Sequence, residues 1–268
     1  MPEHEEREVA LLLPGMSFNA SIFPNLPLAT IAVDFNELAL GKNGGEVADG
    51  KMAIYSRMLD DFLSGVDSWK QKRRIVVAHS FGGMLALWWL LSHRNEGVAR
   101  IAGMVLIATT AGPMFDVACL RVGFLGRNWR VCIKHLLPWW NAPWVTRGVK
   151  RLLSHGRLSA DRVDFRTIER PSDLSLDLAG WRNTDWRAMR SYRIAMSGFD
   201  VRHRLAEVAI PTIVLHGTED TLFPLEVAED LVARLPNAEL RVITGAGHGL
   251  PLTHGEAVVA AVKNVLET

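Results

Sequence analysis

Three polar residues that are far apart in the chain each follow a short apolar run: Ser80, Asp220 and His248. A serine hydroxyl is a poor nucleophile until a base removes its proton, and histidine is the side chain that most often does so. A buried carboxylate holds the imidazole in the correct tautomer and stabilises its charged form. If the fold brings the three side chains together, they predict nucleophilic catalysis through an acyl-serine intermediate.

The stretch around Ser80 reads RIVVAHSFGGMLALWW, a pattern of strand, sharp turn and helix with the serine at the apex of the turn. Ala78 and Gly82, two residues before and after the serine, are small because so tight a turn crowds its neighbours. The following helix would direct its N-terminal amides toward a developing oxyanion. Taken alone, the stretch is also compatible with an ordinary strand-to-helix turn.

Six short apolar runs predict the strands that position these residues: 9–13, 28–33, 74–78, 101–108, 211–215 and 239–243. Between them, helical spacing predicts helices at 52–62, after the serine, at 225–235 and at 256–266; Met52, Tyr55, Leu59 and Phe62 would form the buried face of the first. This alternation predicts an α/β protein with a mostly parallel sheet of about six strands and helices on both faces. Ligands bind outside the carboxyl ends of such strands, where the three polar residues lie.

The alternation is broken between residues 112 and 205, which show helical patterns, six tryptophans and no convincing strand. We predict a core domain of residues 1–111 and 206–268 and a helical cap of residues 112–205. The cap contains 17 Lys or Arg against 8 Asp or Glu, whereas the remainder contains 13 against 21. This asymmetry fits either solvated helix faces or a surface that receives an anionic substrate or an acidic carrier protein.

The composition excludes several other classes of protein. The formal net charge of +1 over 268 residues implies no bulk attraction to nucleic acid or to a membrane. The first residues, MPEHEEREV, do not resemble a signal peptide, and no apolar run approaches the roughly 18 residues that span a bilayer, so we expect a cytoplasmic protein.

Cys119 and Cys132 are expected to be free thiols. The histidines of the cap lack metal-ligand spacing, and neither a metal nor a cofactor is predicted.

Four motifs together carry a family resemblance: LLLPGMS at 11–17, AHSFGGM at 78–84, HGTEDTLFP at 216–224 and GAGHGLP at 245–251. The sequence resembles α/β-hydrolase-fold serine hydrolases with a helical cap. Within them it is similar to small carboxylesterases, including the group that demethylates pimeloyl-carrier-protein methyl ester in biotin synthesis.

Two positions depart from the family pattern. Pro14-Gly15 replaces His-Gly in the oxyanion loop, which contributes backbone only, and Ala78 replaces a glycine but remains small.

The resemblance implies a role for each matched residue. Ser80 would be the nucleophile, His248 the base and Asp220 the acid, with the neighbouring Glu219 as the main alternative acid. The backbone N–H groups of Met16 and Phe81 would form the oxyanion hole.

Aromatic side chains are the candidates for substrate contact. Phe18 and three cap tryptophans (Trp139, Trp140 and Trp144) are predicted to line an acyl pocket, although core packing explains each of them equally well. His79, beside the nucleophile, is interpreted as packing in the turn.

The first functional hypothesis is hydrolysis of a small-molecule carboxylic ester, or of an acyl ester on an acidic carrier protein. Thioester, lactone and carbon–carbon bond hydrolysis, and cofactor-free perhydrolase or oxygenase chemistry, remain open because this fold hosts them with the same triad. Haloalkane dehalogenases and epoxide hydrolases are disfavoured, since they carry an aspartate at the place of Ser80. A non-catalytic binding protein on the same fold is the alternative from another class.

Overall fold

The structure is a computed structural model, which describes residues 8–35, 51–93, 101–113, 119–124, 127–132, 180 and 186–267. Its main feature is a six-stranded sheet in which every neighbouring pair of strands is parallel. The strands of these ranges are β1 (Glu8–Leu13), β2 (Ala29–Ala32), β3 (Arg73–His79), β4 (Ile101–Ile107), β5 (Cys119–Phe124), β6 (Arg127–Cys132), β7 (Thr212–Gly217) and β8 (Ala238–Ile243). The order across the large sheet is β2-β1-β3-β4-β7-β8, and β5 pairs with β6 separately.

Helices connect the strands and cover the sheet. They are α1 (Met52–Ser64), α2 (Asp67–Gln71), α3 (Phe81–Ser92), α4 (Trp186–Ser197), α5 (Leu225–Arg234), α6 (Leu250–Thr253) and α7 (Gly255–Glu267), with short 3-10 helices at Ala20–Ile22 and Arg202–Glu207. None of the helices in the described part of the chain is both long and apolar enough to cross a membrane.

The central strands are buried on both faces, which is why they appear in the sequence as continuous apolar runs. Side chains alternate across a sheet, so in β1 Val9, Leu11 and Leu13 enter one core cluster, while Ala10 and Leu12 enter the other. Helices α1, α3, α4 and α5 complete the first cluster, and α7 completes the second. The carboxyl ends of the strands are therefore held between two layers of helices.

The predicted α/β class and parallel sheet are confirmed. All six predicted strands of the large sheet are present, and their bounds differ from the predicted ones by at most two residues. The helices predicted after the serine turn and near residues 52, 225 and 256 are present as α1, α3, α5 and α7.

The prediction that Phe62 belongs to the buried face of α1 is wrong. The Phe62 side chain is 39% exposed, whereas Leu63 is 2% exposed and completes the buried face with Tyr55 and Leu59. At 3.6 residues per turn, Leu63 lies near the centre of the stripe that Met52 begins, and Phe62 is rotated away from that centre.

The expectation that residues 112–205 contain no strand is also wrong. β5 and β6 form an antiparallel pair whose register runs from Phe124 opposite Arg127 to Cys119 opposite Cys132. This pairing joins segments that are adjacent in the chain, as a short connection between antiparallel strands allows. Helix α4 also lies in this segment, while residues 133–179, half of the predicted cap, lie outside the described residues; the division into core and cap stays a prediction.

Candidate active site

Ser80 stands at the apex of the turn between β3 and α3. Its backbone has φ 51° and ψ −119°, a conformation that side chains rarely adopt and that costs about 1–3 kcal/mol. A Cβ atom added to Gly82 would lie 2.1 Å from the Leu13 carbonyl oxygen, so only glycine allows the turn to pack against the end of β1. The small residue required by the sequence pattern is thus explained by a backbone contact.

Hydrogen bonds hold this strained turn in place. The Ser80 N–H donates to the Ile107 carbonyl at 2.9 Å, and the Ser80 carbonyl accepts from the N–H groups of Gly83 at 2.9 Å and Met84 at 3.3 Å. The hydroxyl of Thr109 donates to the same carbonyl at 2.7 Å. The sequence analysis did not single out Thr109, because its contact with Ser80 depends on the pairing of β3 with β4.

The structure brings the side chains of Ser80, His248 and Asp220 into one hydrogen-bonded chain. His248 Nε2 lies 3.0 Å from Ser80 Oγ, and His248 Nδ1 lies 2.9 Å from Asp220 Oδ2. An ionised carboxylate can only accept, so Nδ1 carries the hydrogen and Nε2 is left to accept from the serine hydroxyl. Ser80 is 8% and His248 is 6% exposed, so the chain is largely shielded from water.

The carboxylate of Asp220 is held in its ionised form. Its Oδ1 accepts the N–H groups of Leu222 at 2.8 Å and Phe223 at 2.9 Å. Burial acts to raise the pKa of Asp220, but the charge of His248 and the hydrogen bonds from His248 and Phe223 outweigh it and keep the pKa below its usual range. The alternative acid, Glu219, is exposed and forms no described contact with the histidine.

Of the two predicted oxyanion donors, Phe81 lies at the start of α3 and Met16 lies in the loop after β1, and their role stays a prediction. Phe81 is the first residue of α3, so its N–H has no acceptor within the helix. Met16 lies in the loop after β1, where the Phe18 N–H donates to the Gly15 carbonyl at 3.1 Å. A Cβ atom on Gly15 would lie 2.9 Å from His79 Nδ1, so a glycine lets this loop approach the serine turn closely.

The predicted substrate contacts are only partly visible. Phe18 is 5% exposed and meets the ring of His79 edge-on, with 5.6 Å between the ring centres. Phe18 therefore contacts the serine turn and also belongs to the second core cluster. Trp139, Trp140 and Trp144 lie outside the described residues, and their assignment to an acyl pocket stays a prediction.

Helix α4 packs beside the serine turn and the oxyanion loop, a position that sequence reasoning did not assign to it. The Ser17 hydroxyl donates to the Met189 sulfur at 2.8 Å, and the Tyr192 ring lies 5.2 Å from the Phe81 ring. A segment between β4 and β7 thus contacts both loops that carry the predicted oxyanion donors. Within the described ranges, no group of three or more His, Cys, Asp or Glu side chains could hold a metal ion.

A parallel sheet with a serine turn after one strand, and with an acid and a histidine after later strands, defines the α/β-hydrolase class. The family model described as alpha/beta hydrolase fold matches residues 40–255, most of the chain, and the chain belongs to this family.

Relatives that align over most of the chain are named as hydrolases. The protein named carbamate hydrolase RutD from Caulobacter segnis is 24% identical over 97% of this chain and 92% of its own length. The solved esterase EaEST from Exiguobacterium antarcticum has a TM-score of 0.63 at 17% identity, covering 97% of this chain and 92% of that chain. The solved esterase RhEst1 from Rhodococcus sp. ECU1013 has a TM-score of 0.67 at 17% identity, covering 98% of this chain and 92% of that chain. At these identities the two solved structures support the fold alone. With the family match, the comparisons identify a hydrolase of the α/β fold.

Proposed function

We propose that the protein is a serine hydrolase that cleaves carboxylic esters through an acyl-serine intermediate. Ser80 is the nucleophile, His248 the general base and then the general acid, and Asp220 the carboxylate that orients the base. One observation carries the proposal: the hydrogen bonds of 3.0 Å and 2.9 Å that join the three side chains without interruption. This is the arrangement that activates a serine hydroxyl.

Acylation begins when Ser80 Oγ attacks the ester carbonyl carbon while His248 Nε2 takes the hydroxyl proton. The carbonyl oxygen becomes an oxyanion that the N–H groups of Met16 and Phe81 stabilise, each being worth about 3 kcal/mol. The imidazolium then gives its proton to the leaving alkoxide, and an alcohol departs. Asp220 stays a carboxylate throughout and stabilises the imidazolium.

Deacylation repeats these steps with water as the nucleophile. His248 Nε2 takes a proton from the water, which attacks the acyl carbon, and the same N–H groups hold the second oxyanion. Return of the proton to Ser80 Oγ releases the carboxylic acid and restores the enzyme.

A carbamate is the second candidate substrate, because the relative that covers nearly the whole chain is named carbamate hydrolase. The same residues could attack a carbamate carbonyl, although its nitrogen donates electrons and makes that carbon less electrophilic. Thioesters, lactones and carbon–carbon bond substrates also fit the triad. The relative is named carbamate hydrolase, whereas the motifs of this chain resemble those of carboxylesterases. Ester and carbamate substrates must therefore be compared directly.

We also propose that an acidic carrier protein presents the ester. The 17 Lys or Arg against 8 Asp or Glu in residues 112–205 support this idea, since a basic surface attracts an acidic partner.

The proposed function is tested with a fluorophosphonate probe and with p-nitrophenyl esters of graded acyl length, beside the Ser80→Ala variant. We expect stoichiometric labelling of the wild type, a preference for short to medium acyl chains, and a loss of at least about 10⁴-fold in kcat for Ser80→Ala. Absence of both labelling and turnover in the folded wild type would contradict the proposal. Labelling with only very slow turnover of every substrate would instead favour a binding protein.

A second set of assays compares kcat/KM for matched methyl ester, thioester, lactone and carbamate substrates. We expect the ester to be preferred. A carbamate that exceeds the matched ester in kcat/KM would replace the ester assignment while leaving the roles of Ser80, His248 and Asp220 intact.

A further inference from the structure

His79, which the sequence indicated only as packing, connects the serine turn with the loop that carries the base. Its Nε2 lies 2.9 Å from the backbone carbonyl oxygen of His248, a contact between residues 169 positions apart. The two imidazole rings are 5.0 Å apart between centres. Because His79 is adjacent to Ser80, this hydrogen bond links the backbone of His248 to the serine turn through the His79 side chain.

The protonation state of His79 follows from its surroundings. A carbonyl can only accept, so Nε2 carries the hydrogen, and Nδ1 is buried without a hydrogen-bond partner among the described residues. Burial, and after it the charge of His248, lower the pKa of His79 to about 3, despite opposing contributions from its hydrogen bond and from Asp220. His79 therefore stays a neutral donor while His248 gains and loses a proton.

The same ring also contacts the oxyanion loop. Its Nδ1 side faces Gly15, where an added Cβ atom would lie 2.9 Å from Nδ1. The Phe18 ring packs edge-on against the imidazole. His79 is completely buried, so this arrangement admits few other side chains. One imidazole thus connects the loops of the nucleophile, the base and the predicted oxyanion donor Met16.

The need for such a connection is greatest after acylation. Before it, the Ser80 hydroxyl at 3.0 Å is itself a hydrogen-bond partner of His248. Once Ser80 Oγ is esterified, it has no hydrogen to donate, and that contact is lost. The base must then be held for attack by water through the Asp220 contact and the backbone of its own loop.

We propose that His79 is a positioning residue that holds His248 in place during deacylation, by donating its Nε2–H to the His248 carbonyl. The proposal rests on the proposed function, because it requires an acyl-serine intermediate. It assigns His79 no contact with substrate and no proton transfer.

Three variants separate the hydrogen bond from packing. In His79→Gln the side-chain amide nitrogen can take the place of Nε2, whereas in His79→Asn it reaches only the place of Nδ1, and His79→Phe keeps a ring without a donor. His203→Asn, at an exposed position, is the matched control for the Asn substitution. Each protein is assayed for steady-state kcat, burst amplitude with a p-nitrophenyl ester, and rate of fluorophosphonate labelling.

We expect His79→Asn and His79→Phe to lose about 10- to 100-fold in kcat, because small misplacements of a base cost that much. They should show an increased burst as acyl-enzyme accumulates, and their labelling rates should fall much less than kcat. His79→Gln should recover most of the loss, and His203→Asn should match the wild type.

Two results would overturn the inference: unchanged kcat in His79→Asn and His79→Phe, or a parallel loss of labelling and kcat in all three variants. The second result would mean that His79 only packs in the turn. Failure of the proposed function is a separate outcome, since it would appear in the wild type as absent labelling and turnover.

Discussion

The side chains of the site are held by more hydrogen bonds than catalysis alone would need. Asp220 accepts from His248 through one oxygen and from Leu222 and Phe223 through the other. The loop backbone thereby points the carboxylate at the imidazole. This geometry lets the proposed acid, Asp220, be tested separately from the proposed nucleophile, Ser80.

Replacing Asp220 with asparagine should lower kcat by about 10⁴-fold. The amide can keep the shape of the site, but it can donate to Nδ1 and so favour the wrong tautomer of His248. Steady-state kinetics of Asp220→Asn beside Glu219→Gln measure this effect, and Glu219→Gln should retain wild-type kcat. A larger loss in Glu219→Gln than in Asp220→Asn would show that the acid has been assigned to the wrong residue.

The buried His79 should make the free energy of unfolding depend on pH. Its pKa is lowered to about 3 in the folded protein and is about 6.5 in the unfolded chain, so between these values the unfolded chain binds more protons. Stability should therefore decrease as pH falls below about 6.5, by up to about 1.4 kcal/mol per pH unit for this group.

Urea unfolding of the wild type and His79→Gln between pH 7.5 and pH 4 measures that contribution. Above pH 7 the slope with pH should be the same in both proteins, and below about pH 6.5 it should be shallower in the variant. Equal slopes in the acid range would contradict the assignment of a buried neutral imidazole.

At the level of elements, the serine turn is positioned by the strands beside it. The end of β1 packs under Gly82, and β4 supplies both the acceptor for the Ser80 N–H and the hydroxyl of Thr109. These contacts join segments that are distant in the chain, so they form only when the strands pair in the observed register.

Substituting Gly82 with alanine should therefore destabilise the protein and reduce its activity. The added Cβ would meet the Leu13 backbone carbonyl at 2.1 Å, and backbone cannot move without shifting the oxyanion loop that follows β1. We expect a loss of about 1–3 kcal/mol in the free energy of unfolding and a fall in kcat. Gly198→Ala, where no described residue lies within 4 Å of the added Cβ, is the control and should be within about 0.5 kcal/mol of the wild type. Thermal or urea unfolding measures the loss of stability, and ester assays measure the loss of activity. Equal effects in the two variants would contradict the steric explanation for Gly82.

At the level of the whole molecule, charge is distributed unevenly. The near-neutral total combines the basic segment 112–205 with an acidic remainder of 13 Lys or Arg against 21 Asp or Glu. Such a distribution allows one part of the surface to attract an acidic partner without general affinity for polyanions.

The carrier-protein proposal therefore predicts a salt dependence. Raising the ionic strength from about 0.01 M to 0.15 M shortens the Debye length from about 30 Å to 8 Å, and should lower kcat/KM for an ester on an acidic carrier protein. A neutral p-nitrophenyl ester measured in the same buffers is the control and should change little. If turnover of the carrier-protein ester does not respond to salt, electrostatic docking is wrong.

Local patterns in the sequence were sufficient to predict much of the fold. Apolar runs bounded by turn residues predicted the six parallel strands. The four central strands, β1, β3, β4 and β7, are buried on both faces and therefore need continuous apolar sequence. The small residues around Ser80 predicted the sharp turn for a steric reason. Sequence patterns failed in two places. Phe62 and Leu63 are equally apolar, so the pattern did not show which of them is buried. The β5–β6 pair was overlooked within a segment that shows helical patterns.

The sequence by itself determined the residue types of the site and the sheet edge at which they lie, because strand direction places loops after parallel strands on one side. The tertiary structure decided which groups meet. Only strand register and helix packing bring Asp220 to His248, Thr109 to the Ser80 carbonyl and His79 to the His248 backbone. Those contacts span 28, 29 and 169 positions, and a hydrogen bond over such a separation depends on distances that no local pattern records.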